Sequence, residues 1–213
     1  MLRVLTVLVL LRLPSPAALV LNPAAVDPVL FRVTTFASNL PRANAVALAP
    51  DGSILVAHSP TFSGGQISRF TDADADGVAD GPGVTVYSTG AGPITQLKQA
   101  GRYYLAGEFG ARTIRMLAPG NTPSDPLTAV GELQFSYPSG WYHPTIGMAV
   151  RATSGTPGAY DLVFNVGSQF NAQPSVAKVA VNGFQMGPLE LEGDALYMIT
   201  IDTTGPVPVA SNL

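Results

Sequence analysis

Asp72, Asp74 and Asp76 stand at alternate positions of one acidic run, and Gly77, Val78 and Asp80 follow them. That order matches the opening of a calcium loop: carboxylates at every second position, a glycine for the sharp turn, a backbone carbonyl and a further acid. A hard cation needs several oxygens around one point, and alternate spacing wraps them there. Asp72, Asp74, Asp76, the carbonyl of Val78 and Asp80 are therefore the expected ligands of a structural Ca²⁺. The loop's last ligand position holds Gly83 instead of a bidentate Glu, so water or another carboxylate must complete the shell. A solvated acidic turn is the alternative. A second set of polar residues falls just before or after apolar runs: His58 and Ser59, Glu108 and Arg112, His143, and Ser168, Gln169 and Asn171. Both 2 histidines of the chain belong to it. One such residue is more often structural than functional, but several converging on one point make a ligand site.

The elements that would bring them together form a repeat. NAVALAP-DG-SILVAHS begins at Asn44, GPITQLKQ-AG-RYYLAGEF at Gly92, and HPTIGMAVRA with AYDLVFNVGS and SVAKVAV at His143. The copies lie about fifty residues apart, and each reads as apolar strand, turn, apolar strand, loop and alternating third strand. The units span 44–70, 92–117 and 143–181. Single strands between or after them, at 84–87, 132–135 and 196–201, read as outer strands. A further alternating stretch covers 31–36. Asp51-Gly52 and Ala100-Gly101 supply tight turns. The expected fold is all-β, a partial β-propeller of about three four-stranded antiparallel blades. In a blade the start of the first strand and the end of the second share one face, which places His58, Glu108, His143 and the 168–171 segment at one mouth. The acidic loop then lies at the opposite face, between third and outer strands.

Composition agrees with such a fold. Only 12% of residues are charged, and 22 Gly and 19 Pro suit many short strands joined by turns, not disorder. The net charge of −3 and the lack of a basic stripe argue against nucleic acid as a partner. With no cysteine there are neither disulfides nor thiolate metal sites. Arg3, the apolar run Val4–Leu11 and Ser15-Pro16-Ala17 form a secretory signal pattern over residues 1–18, which predicts a periplasmic or secreted protein. Arg12 interrupts the run, so no membrane span is expected in the mature chain. Residues 19–29 read as a linker and 30–213 as the propeller domain. Closed propellers have about four to eight blades. The chain is therefore expected to be the N-terminal part of a longer protein, or to self-associate through open blade edges.

His143-Pro144-Thr145-Ile146-Gly147-Met148 and the stretch DLVFNVGSQFN at 161–171 resemble the soluble quinoprotein glucose and sorbosone dehydrogenases. The resemblance extends over most of residues 30–201, including NAVALAPDGSILVAHS and the DADADGVAD insert. It implies an exported aldose- or sorbosone-type sugar dehydrogenase that uses pyrroloquinoline quinone (PQQ), with the sugar as small-molecule substrate. His143 would be the general base that takes a hydroxyl proton as hydride moves to the quinone. Asn171 would lie at the cofactor. Where the glucose dehydrogenases have an Asp after the loop glycine, this chain has Ser168. Two alternatives stand beside this reading. One is a non-catalytic secreted propeller that binds a protein or carbohydrate. The other is a lactonase-like hydrolase with a channel metal, for which Glu108 and Asn171 are the clear ligand candidates.

Overall fold

The computed structural model describes residues 33–211, apart from positions 142, 145, 171, 172 and 174. The expected signal peptide, the 19–29 linker, the first residues of the 31–36 strand and Asn171 lie outside the described residues. Every regular element among the described residues is a β-strand, and the strands form three antiparallel sheets. Among these residues no helix is long and apolar enough to cross a membrane.

The first sheet is a simple meander of β1 (Ala45–Leu48), β2 (Ile54–Thr61), β3 (Gly64–Phe70) and β4 (Val84–Thr89). The Asp51-Gly52 turn joins β1 to β2. The second sheet starts as the same meander, with β5 (Ile94–Ala100), β6 (Tyr103–Glu108), β7 (Thr113–Ala118) and β8 (Thr128–Ser136). Gly101 joins β5 to β6 at φ 62°, and a Cβ there would come 2.2 Å from the Tyr160 hydroxyl, so no other residue fits without movement.

The third unit departs from the expected meander. After β9 (Met148–Ala152) and β10 (Ala159–Val166), the strand expected beside β10 crosses to the second sheet. There β11 (Lys178–Gly183) pairs with β8, Val181 opposite Phe135, and β12 (Met186–Glu192) folds back on it as a hairpin. The chain then returns: β13 (Ala195–Asp202), read from sequence as an outer strand, takes the vacant place beside β10 with Phe164 opposite Tyr197, and β14 (Val209–Ser211) closes the sheet. The middle sheet thus has six strands where four were expected, and the two end sheets have four each.

Packing follows from side-chain alternation. Every residue of β6 is buried, because the middle sheet is covered on both sides. Tyr104 and Ala106 point toward sheet one, where they meet Ala47, Leu55, Ala57 and Ile67. Tyr103 and Leu105 point toward sheet three, with Phe135, Leu162, Phe164 and Ile199. One edge strand of each sheet lies beside the next in chain order, β1 against β5 and β5 against β9. Residues 33–36, expected as part of a strand, have no strand partner among the described residues and begin an irregular strap across the outer face of sheet one. Their polar groups go instead to the acidic loop: the Thr34 hydroxyl donates to the Gly77 carbonyl at 3.0 Å and the Ala79 N–H to the Phe36 carbonyl at 2.9 Å. Phe36 packs edge-on against Phe70, ring centroids 6.1 Å apart.

Candidate functional site

The candidate site is built where β5 and β9 begin and β10 ends. His143 precedes β9, and its backbone N–H donates to the Ser168 carbonyl at 3.1 Å, an isolated bridge that fixes His143 beside the loop after β10. The His143 side chain is exposed. The loop is held by its own polar groups. The Ser168 hydroxyl donates to the Phe170 carbonyl, the Gln169 N–H donates to Ser175 Oγ at 2.7 Å, and the Ser175 N–H donates to the Asp194 carboxylate at 2.7 Å. That last bond, above all, holds the Asp194 carboxyl below its ordinary range. Gln169 Oε1 and Trp141 Nε1 are buried with no hydrogen-bond partner among the described residues.

Beside this loop opens a cavity of about 580 Å³. Thr95 and Gln96 come from β5, Phe109 from the turn after β6, Gly147 and Ala149 from the β9 region, Val163 and Asn165 from β10 and Leu196 from β13. The Asn165 side-chain carbonyl oxygen accepts the Gly147 N–H, which fixes the amide beside the cavity it lines. Phe109 is 41% exposed and offers a ring face. A smaller hollow continues from Asn165 and Leu196 to Gly167, Ser168 and Asp194, and so reaches the residue bridged to His143. An apolar wall with an aromatic ring and a few neutral amides and hydroxyls can hold a polar but uncharged ligand.

Other residues assigned to the mouth from sequence are structural. Glu108 is fully buried between sheets one and two. Its carboxylate accepts the Tyr87 hydroxyl at 2.6 Å and Arg115 Nε at 3.1 Å, with Arg115 Nη2 and Thr113 Oγ1 at 3.3 and 3.5 Å on the second oxygen. Arg115 reaches on to Glu132 at 2.9 Å. Burial first, then the hydrogen bond to Glu108 and its charge, raises the Tyr87 pKa far above the ordinary phenol value. His58 is buried on the outer face of sheet one, its Nε2 2.9 Å from Ser68 Oγ and its Nδ1 without a partner among the described residues. Burial lowers its pKa. With Ser68 and Phe70 it lines a cavity of about 550 Å³ roofed by strap residues Thr35–Leu40. Arg112 has φ 56° and lays its guanidinium over Tyr137, 5.6 Å from the ring centroid. Thr95, Gln96, Phe109 and Asn165 were missed because three of them lie inside strands. Only alternation in a correctly paired sheet shows which way they face.

The acidic loop joins β3 to β4, away from the elements of the candidate site. Carboxylate oxygens of Asp72, Asp74 and Asp76 lie within 4.8 Å of one another. The loop is wound by bonds to those carboxylates: the Asp76 N–H donates to Asp72 at 3.1 Å, Gly77 N–H to Asp72 at 3.0 Å and Val78 N–H to Asp76 at 2.8 Å. Asp80 accepts the Ala73 N–H at 2.8 Å and so ties the loop's ends together. The structure also explains Gly83. A Cβ there would lie 2.4 Å from the Phe70 ring, so this position cannot supply a twelfth-position carboxylate.

Comparisons with protein families, with curated proteins and with solved structures find no match to this chain.

Proposed function

We propose that this chain is an exported propeller-type protein that binds a neutral sugar of the aldose class in the cavity at its mouth. The observation that carries this reading is the lining: Phe109 can stack on the C–H face of a sugar, while Thr95, Gln96 and the fixed amide of Asn165 can meet its hydroxyls. The serial contact of β1, β5 and β9 supports the propeller arrangement. Titration calorimetry with a panel of aldoses tests it. Phe109→Ala should weaken binding about tenfold, as loss of an aromatic contact of about 1.4 kcal/mol would. No binding by any aldose, or equal binding by the variant, overturns it.

The exposed His143 favours a second reading, a sugar dehydrogenase in which this imidazole accepts a hydroxyl proton. Pyrroloquinoline quinone carries three carboxyl groups, and none of the residues lining the cavity is Lys or Arg. These residues do not fit the quinone, and we derive no redox step through it. Dye reduction with quinone, Ca²⁺ and an aldose, lost in His143→Ala, would favour the enzyme; no reduction leaves the binding protein.

The acidic loop belongs to the proposal as a structural calcium site formed by Asp72, Asp74, Asp76, the Val78 carbonyl and Asp80. Saturating Ca²⁺ should raise the melting temperature of the parent and not of Asp74→Ala, since a ligand stabilises only the state that binds it.

A further inference from the structure

Both end sheets keep apolar side chains on the face turned away from the middle sheet. On sheet three, Leu196 and Met198 of β13 are 74% and 46% exposed. Register places Val163 opposite Met198 and the 39%-exposed Val209 opposite Asp202, so Val163, Leu196, Met198 and Val209 share one face. On sheet one, Val46 and Leu48 of β1 are 61% and 60% exposed, with Val56 and Ile54 opposite them. Among the described residues, the strap covers the β3 side of that face, through Phe36 on Phe70, and Val46 and Leu48 on the β1 side stay exposed. Alternate exposed apolar residues on a strand mark a face built to be covered.

The chain itself contains the pattern of cover. Sheet one lies face-on to sheet two, and sheet two to sheet three, each time with the edge strands β1, β5 and β9 adjacent in turn. The bare face of sheet three is the next member of that series, and the bare face of sheet one is the kind of surface it would meet. We infer that a second copy of this chain supplies the cover: sheet three of each copy packs on sheet one of the other, and two arcs close into a ring. Three sheets from each copy give about six, within the range of closed propellers. Each contact joins unlike faces, and two such contacts related by a two-fold axis close without leaving an end free, so the assembly stops at a dimer.

Closure also completes the proposed sugar site. Leu196, Val163 and Ala149 of the mouth cavity belong to the uncovered face, so the cavity lacks one wall in a single chain. In the dimer the partner's β1 stands on that side. The inference rests on the propeller reading of the sheets and not on the chemistry at His143.

Sedimentation equilibrium of the full chain tests it, with variants outside the cavity lining. The parent should sediment at twice the chain mass. V46E/L48E and M198K/V209K should each sediment as monomers. Mixed in equal amounts they should recover the dimer, because one contact is then native and the other pairs Glu with Lys. A monomeric parent overturns the inference. So does a V46E/L48E variant that stays dimeric, which would mean that like faces pair. Nitroxide labels on Gln99 and Ala152 report separately whether β5 and β9 are neighbours. A long distance there would remove the arc itself, and a short distance in a monomer would remove only its closure.

Discussion

The two faces of the middle sheet solve the same packing problem with different chemistry. Toward sheet one the contact is made largely of small and aliphatic residues, Ala47, Ala57 and Ala106 among Leu55, Ile67 and Leu97. Small side chains let the sheets approach closely but remove little apolar area from water. A buried polar lock accompanies them, with Glu108 taking donors from Tyr87 on sheet one and from Thr113 and Arg115 on sheet two. Toward sheet three the contact is aromatic. Phe135 meets Phe164 edge-on at 5.6 Å and stacks on Tyr137 at 6.2 Å, and Tyr137 tilts against Trp141 at 5.2 Å. Large rings provide both area and directional fit. One interface therefore depends on charge and hydrogen bonding, and the other on volume.

This contrast should break most visibly at Phe164. Phe164→Ala should cost about 3–5 kcal/mol in urea unfolding, because the void sits where rings interdigitate. A cost no larger than that of Leu97→Ala on the opposite face would erase the difference between the interfaces. Glu108→Gln keeps the shape and removes the charge; a loss of about 2 kcal/mol is expected, since buried donors lose their acceptor. In a cycle with Tyr87→Phe the two losses should not add, and full additivity would mean that the Tyr87 bond contributes independently of the lock.

The smallest effect concerns pH. Burial holds His58 below its usual 6.5, so as the solution is acidified the unfolded chain takes up this proton first. Stability from His58 is complete above pH 6.5 and declines as pH falls from there toward the lowered folded value. The Asp161 carboxyl, on sheet three, is also lowered, but by bonds from Thr153, Arg151 and Thr200 that favour its charged form, and its contribution is lost only as pH falls below the usual 3.8. Mild acid should therefore speed hydrogen exchange around β2 and β3 before β10. Equal protection loss in both regions, or an unchanged profile in His58→Gln, would contradict this.

Alternation made the strands legible. The turn at Asp51-Gly52 and the apolar runs at 54–57, 103–106 and 162–166 carry their own geometry, and the all-β architecture follows from them. Partner choice was less legible. The Lys178–Gly183 strand would satisfy its backbone beside either β10 or β8, and nothing local selects β8. The selection comes from tertiary packing, where Val179 and Val181 enter the large core and Phe184 donates its N–H to the Glu132 carbonyl at 3.1 Å. The candidate site was partly legible: chain order brings His143 to Ser168. Glu108 and His58 also end up near strand ends, but Glu108 turns into the contact between sheets one and two and His58 onto the strap-covered outer face of sheet one, orientations that depend on strand twist and bulges that sequence spacing does not report.

The excursion of β11 and β12 has a consequence during synthesis. Residues 128–136 leave the ribosome with one flank satisfied by β7, while the strand that occupies the other flank emerges only after β9 and β10 have been made. β10 in turn waits for β13. Sheets two and three thus each mature only through a segment translated after part of the other, so the two should condense as a single event once β13 has been made.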